Sequence, residues 1–134
     1  MPTVPLVDEA TTDPRVKSVF EDIKTTKKIT WVPAIWRALA NHPEHLELCW
    51  SRLKAIMQPG KLDLLTKEMI AVAVSVTNSC RYCVNSHTAA AQKLGMTKEQ
   101  YGEMLAVIGL FNQMNKLADS FQIEPDVTPK IDAW

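Results

Sequence analysis

Apolar residues recur at helical spacing along most of this chain, and no segment carries the strict alternation of a half-buried strand. The pattern begins after Asp13-Pro14, a pair typical of a helix start, because Asp caps the first N–H groups and Pro fits the first turn. The first helix carries its apolar side at Val16, Val19, Phe20 and Ile23. With only four glycines in 134 residues, the spacing predicts an all-α fold.

Proline, glycine and capping residues divide the chain into about six helices, which predicts a single-domain helical bundle over residues 1–134. The predicted helices cover about residues 14–28, 33–41, 43–58, 63–79, 81–95 and 97–121. The fourth is apolar on nearly every side between Met69 and Val76, which predicts a buried central helix. A strand is the rival interpretation there, but the segment is too long and is preceded by helix formers. The tail from 122 to 134 is predicted to be extended, against the surface or a neighbouring subunit.

Composition excludes several classes of partner. Lys+Arg and Asp+Glu both number 15, so the net charge of zero gives no electrostatic footprint for nucleic acid or an anionic membrane. The longest apolar run, Met69 to Val74, is too short to span a bilayer, and the first ten residues do not resemble a signal peptide. Three cysteines, an odd number without an export signal, favour reduced thiols in the cytoplasm.

Four residues combine into one candidate site: Glu68, Cys80, Cys83 and His87. Cys83 and His87 lie four residues apart, so they share a helix face, and Cys80 is one turn earlier, within disulfide reach. A helix start favours a thiolate, an imidazole can take the thiol proton, and a carboxylate can orient the imidazole and pass the proton on. Because His87 is one turn from Cys83 and two from Cys80, Cys83 is predicted to attack and Cys80 to resolve.

Metal binding is the main alternative for these residues. Cys80, Cys83 and His87 would supply three zinc ligands, and a structural site needs a fourth. The remaining candidates are Cys49, His42, His45 and Glu68, none of which belongs to a second ligand pair. The residues alone therefore leave a redox pair and a metal site both open. A c-type haem is excluded because Val84, not His, follows the second cysteine.

Glu68, the segment Cys80-Arg81-Tyr82-Cys83 and His87 resemble the active-site signature of the AhpD-like alkylhydroperoxidases, within the carboxymuconolactone decarboxylase superfamily. The likeness spans about residues 46–117. It implies a helical bundle that assembles as a homo-oligomer, an intertwined dimer or a trimer or hexamer. It also implies that Cys83 reduces the peroxide, Cys80 resolves, and His87 and Glu68 relay protons. Tyr82 stands where the best-known members have histidine, and the decarboxylase branch generally lacks the cysteine pair.

These observations predict a thiol-dependent peroxidase that acts on hydroperoxides and needs neither metal nor other cofactor. The resemblance implies a dithiol or lipoyl-type protein as the electron donor. Two alternatives belong to other classes. One is a zinc-binding or redox-sensing module without catalysis, and the other is a decarboxylase-like enzyme acting on a cyclic organic acid with the cysteines as bystanders.

Overall fold

A computed structural model describes residues 1–133, and in these residues the fold is all-α without strands. This confirms the predicted fold class. The helices are α1 (Pro14–Lys27), α2 (Ala34–Leu39), α3 (Pro43–Ile56), α4 (Leu64–Thr77), α5 (Arg81–Lys93) and α6 (Lys98–Ser120), followed by a short 3₁₀ turn at Ile131–Ala133. The chain divides into two compact units, residues 1–58 and the part from Pro59 onward. The single domain over 1–134 stays a prediction.

The helix starts follow from capping chemistry in the sequence. Asp13 accepts hydrogen bonds from the backbone N–H groups of Arg15 and Val16, which have no partner inside the first turn of α1. At the start of α6, the Thr97 side chain accepts from the Gln100 N–H, and the Gln100 side chain accepts from the Thr97 N–H. This reciprocal pair is the predicted capping box. The predicted helix ends fall within two residues of the observed ones.

The first unit, α1 to α3, closes around a core of aromatic and aliphatic side chains. Trp36 of α2 and Trp50 of α3 meet edge to face, with ring centroids 5.2 Å apart. Cys49 packs against this core while half-buried. The buried residues of the core are Val16, Val19, Phe20, Ile23, Val32, Trp36, Ala40, Leu46 and Trp50.

A polar contact joins α1 to α3 beside this core. Asp22 accepts a 2.7 Å hydrogen bond from the indole N–H of Trp50 and contacts the Lys54 ammonium at 2.9 Å. Hydrogen bonding from Lys54, and then from Trp50, lowers the pKa of Asp22 from its ordinary value of 3.8. Trp50 therefore satisfies its one donor while its ring remains in the core.

The second unit places α4 against α5 and α6. Its buried side chains are few and mostly small: Val72, Ser75, Ala91, Met96 and Ile108. The prediction that the fourth helix is buried is wrong for one side of α4, because Ile70 and Val74 are 49% and 54% exposed. The helices packed against it within this unit leave that side of α4 open.

The segment after α6 is exposed from Phe121 to Ala133. Its packing against a neighbouring subunit stays a prediction. Among the described helices, none combines the length and the apolar character that crossing a bilayer requires.

Candidate functional site

The turn from α4 into α5 sets the position of the first cysteine. The N–H of Cys80 donates to the Ser75 carbonyl at 2.9 Å, and the N–H of Ser79 donates to the Val76 carbonyl at 3.1 Å. This pair of bonds is the Schellman motif, which requires a left-handed residue just beyond the helix. Ser79 takes that conformation with φ 57°, although glycine adopts it more easily. The turn is tight enough to place Cys80 directly at the start of α5.

Cys80 is the N-cap residue of α5, and its sulfur accepts a hydrogen bond from the backbone N–H of Cys83 at 3.3 Å. The two cysteines form a disulfide, with their Cα atoms 5.3 Å apart. Both residues are partly buried. Unpaired N–H groups and the positive end of the helix dipole favour negative charge on sulfur at this place.

Glu68 and His87 meet across the hairpin of α4 and α5. A carboxylate oxygen of Glu68, Oε2, lies 2.7 Å from Nδ1 of His87. The Glu68 side chain is 12% exposed and that of His87 30% exposed, so the contact is shielded but open to solvent at the imidazole. With Glu68 ionised and the imidazole neutral, the carboxylate can only accept, so this contact holds the ring proton on Nδ1 and leaves a lone pair on Nε2.

The helix spacing places His87 on the same face of α5 as Cys83, one turn further on. An imidazole held through Nδ1 can accept a thiol proton at Nε2 once the disulfide is reduced, and it can return that proton to a leaving oxygen. The structure thus brings the four predicted residues to one hairpin, as a disulfide and a carboxylate–imidazole pair.

The donor set suits a redox centre better than a zinc site. In the disulfide state neither sulfur is a free thiolate, which is the form that ligates zinc. Within residues 1–133, no group of three His, Cys, Asp or Glu side chains is arranged to hold a metal ion. His42 instead caps α3 by accepting from the N–H of His45, so these two histidines have a local structural role.

Two residues that shape the site, Ser75 and Ser79, are not among the site residues predicted from the sequence. Ser79 carries the strained turn, and Ser75, 8% exposed, supplies the carbonyl that receives the Cys80 N–H. Glycine at Ser79 would have indicated the turn, as Gly95 does at the end of α5. Of the residues between the cysteines, Arg81 is exposed and Tyr82 is 47% exposed, so both border the disulfide at the surface.

The model of the carboxymuconolactone decarboxylase family matches residues 43–123. An uncharacterized protein of Cupriavidus necator is 36% identical over 64% of this chain and 75% of its own length. The alkyl hydroperoxide reductase AhpD of Mycobacteroides abscessus is 37% identical over 44% of this chain, but the match covers only 33% of that longer protein.

The crystal structure of an alkylhydroperoxidase AhpD core from Rhodospirillum rubrum superimposes with a TM-score of 0.90 at 50% identity, covering 94% of this chain and 95% of that one. At 50% identity the two chains are alike in sequence as well as in helical architecture. The chain therefore belongs to the carboxymuconolactone decarboxylase family, as an AhpD-like member.

Proposed function

We propose that this protein reduces organic hydroperoxides with its own cysteine pair and is regenerated by an external dithiol. The observation that carries the proposal is the Cys80–Cys83 disulfide at the start of α5, with a Glu68-bound imidazole one turn further on. The names of its AhpD relatives support the same class of substrate. In this proposal the protein acts in the cytoplasm, where dithiol donors are maintained in reduced form.

The reaction begins with the reduced pair. Nε2 of His87 takes the proton of the Cys83 thiol, and the thiolate attacks the terminal oxygen of the hydroperoxide. The O–O bond breaks, Cys83 becomes a sulfenic acid, and the departing alkoxide takes the proton from His87 to leave as an alcohol. Glu68 holds Nδ1–H throughout and stabilises the imidazolium between the two transfers.

The second half of the reaction closes the disulfide. The Cys80 thiolate attacks the sulfur of the Cys83 sulfenic acid, and hydroxide leaves with a proton as water. Two electrons have then passed from the two thiols to the peroxide. A dithiol donor, of the lipoyl type by family resemblance, returns them by thiol–disulfide exchange and is itself oxidised to a disulfide.

The test is a thiol count on reduced protein before and after one equivalent of an organic hydroperoxide. We expect two thiols to be lost and one, Cys49, to remain reactive after denaturation. Cys83→Ser should abolish peroxide reduction, whereas Cys80→Ser should stop at a sulfenic acid that can be trapped on Cys83. Cys49→Ser is the matched control and should react like the wild type.

Two outcomes would reject the proposal. Stoichiometric zinc in protein purified without added metal would favour the metal-binding module. An activity on a cyclic organic acid that survives loss of both Cys80 and Cys83 would favour the decarboxylase-like enzyme. If Cys80→Ser rather than Cys83→Ser removed the first oxidation, the peroxidase would stand and the roles of the two cysteines would be exchanged.

A further inference from the structure

Arg81 lies between the two cysteines and has no part in the peroxide chemistry described above. It follows Cys80 directly in the chain, and its side chain is exposed. Among residues 1–133, no carboxylate forms an ion pair with its guanidinium, whereas Arg15 and Arg37 each contact a glutamate. A positive charge without a partner therefore stands beside the disulfide.

The position of Arg81 is unfavourable for the helix that carries it. Arg81 is the first residue of α5, and the first turn of α5 contains no acidic residue. A positive charge at a helix start opposes the helix dipole and lowers the stability of the helix. Arg15 and Lys98 also lie in first turns, but Arg15 pairs with Glu47, and Glu99 follows Lys98. Helix stability therefore gives no reason for an arginine at residue 81.

The hairpin that carries the disulfide has an excess of positive charge. Residues 64–93 contain three basic residues and one acidic residue, namely Lys67, Arg81, Lys93 and Glu68. The Glu68 carboxylate is already in contact with His87 at 2.7 Å. The chain as a whole has 15 basic and 15 acidic residues, so this excess is a local feature.

Helix α6 does not offset this charge at the end of the hairpin where the disulfide lies. Thr77, the last residue of α4, accepts a 3.1 Å hydrogen bond from the side-chain amide of Asn112 in α6. Residues 104–115 of α6 carry no charge. The carboxylates of α6 nearest to this level, Glu103 and Asp119, belong to residues about 10 Å or more from Asn112 along the helix axis.

The redox state determines which reactant meets the positive charge most strongly. In the reduced pair, a Cys83 thiolate would offset part of the charge of Arg81. In the disulfide, neither sulfur is charged. The reactant that approaches the disulfide is the dithiol donor, so the donor encounters the larger positive field. A guanidinium binds a carboxylate through two parallel N–H groups, which makes a carboxylate its natural partner.

We infer that Arg81 selects the electron donor by binding a carboxylate that the donor carries near its thiols. This inference rests on the proposed regeneration of the disulfide by an external dithiol. One donor thiolate attacks a sulfur of the Cys80–Cys83 disulfide, a mixed disulfide forms, and the other cysteine leaves as a thiolate. The second donor thiol loses its proton to solvent and attacks the donor sulfur of the mixed disulfide. Both cysteines are then reduced, and the donor has lost two electrons and become a disulfide.

The test uses two dithiols that differ in one charge. Dihydrolipoate and dihydrolipoamide have the same two thiols, but the first ends in a carboxylate and the second in a neutral amide. Oxidised protein is mixed with either dithiol and quenched with acid, and the free thiols of the protein are counted by alkylation and mass spectrometry. At low ionic strength dihydrolipoate should reduce the wild type roughly two- to fivefold faster, the gain expected from one exposed ion pair. High salt should remove this preference.

Replacement of Arg81 should change the ratio of the two rates. Arg81→Gln should abolish the preference for dihydrolipoate, and Arg81→Lys should retain part of it. Lys93→Gln removes an exposed positive charge at the far end of the same helix, so it is the matched control and should keep the wild-type ratio. Equal rates with both dithiols in the wild type, an unchanged ratio in Arg81→Gln, or an equal loss in Lys93→Gln would overturn the inference.

Stability distinguishes donor selection from a structural role. Because Arg81 opposes the helix dipole, Arg81→Gln should unfold at a urea concentration no lower than the wild type does. A lower midpoint would mean that Arg81 stabilises the fold and would overturn the inference. The donor assay contains no hydroperoxide, so a protein without peroxidase activity would reject the proposed function and still give a clear result for Arg81.

Discussion

At the scale of single residues, the decisive feature is a carboxylate in a largely buried, apolar place. Glu68 lies in the first half of the most apolar helix, and its side chain is only 12% exposed. An unpaired carboxylate in such a place is costly, and the 2.7 Å contact with His87 compensates for that cost. In the proposed mechanism the same contact leaves Nε2 as the nitrogen that serves as the base, so burial and chemistry would depend on one interaction.

Replacement of these two residues should give unequal losses. His87→Ala should slow thiol oxidation by roughly 10²–10⁴-fold at neutral pH, because the base itself is lost. Glu68→Gln should cost roughly 10- to 100-fold, because the amide oxygen can still accept from Nδ1–H but no longer stabilises the imidazolium. Stopped-flow oxidation by a hydroperoxide across a range of pH measures both.

The pH profile separates catalysis from structural damage. At high pH the thiol ionises without a base, so the rate of His87→Ala should approach that of the wild type. Glu99→Gln, an exposed carboxylate in the first turn of α6, is the control and should have the wild-type profile. A loss of equal size at every pH would contradict a role in proton transfer.

At the scale of helices, two turns in the second unit offer a matched comparison. Both α4 and α5 end in the same pair of backbone bonds, with Ser79 at φ 57° in one turn and Gly95 at φ 101° in the other. A side chain costs free energy in this conformation, and a Cβ at Gly95 would meet nothing within 4 Å. The difference between the turns is therefore one of backbone preference.

Exchange of the two residue types should have opposite effects on stability. Ser79→Gly should raise the free energy of unfolding by roughly 0.5–1 kcal/mol, and Gly95→Ser should lower it by roughly 1 kcal/mol. Urea unfolding of both variants under oxidising conditions gives the values. Equal signs would mean that side-chain contacts, rather than the left-handed backbone, govern these turns.

The sequence predicts the starts of the helices more closely than their ends. Several helix starts are predictable because the side chains of Asp13, Asp63 and Thr97 cap the first turn of their helices. The predicted ends of α4 and α5 both lie two residues beyond the observed ones. Gly95 nevertheless indicates the left-handed turn after α5, whereas Ser79 gives no such signal after α4. The exposure of Ile70 and Val74 could not be predicted, because an apolar residue does not reveal whether its own chain or another covers it.

At the scale of the whole molecule, the two units differ in what they bury. The first has a core with two tryptophans, whereas the buried residues of the second are few and mostly small. A unit with so little interior of its own is poorly stabilised alone. The single domain over residues 1–134 stays a prediction, and from it we expect both units to unfold in one cooperative step.

Unfolding by urea tests that prediction with two probes. Trp31, Trp36 and Trp50 report on the first unit in a Trp134→Phe variant, and far-UV circular dichroism reports on all helices. The two curves should coincide in midpoint and steepness. Separate midpoints would instead show that the units unfold independently, and a range of protein concentrations distinguishes either result from subunit dissociation.

The hairpin of α4 and α5 has a consequence for the order in which the molecule forms. Glu68 and His87 are only 19 residues apart in sequence, and both cysteines lie between them. Contacts this local require closure of a short loop, which takes far less time than the pairing of distant segments. The approach of Glu68, His87 and the two cysteines therefore need not wait for distant parts of the chain to meet, and these residues can come together early in the folding of the molecule.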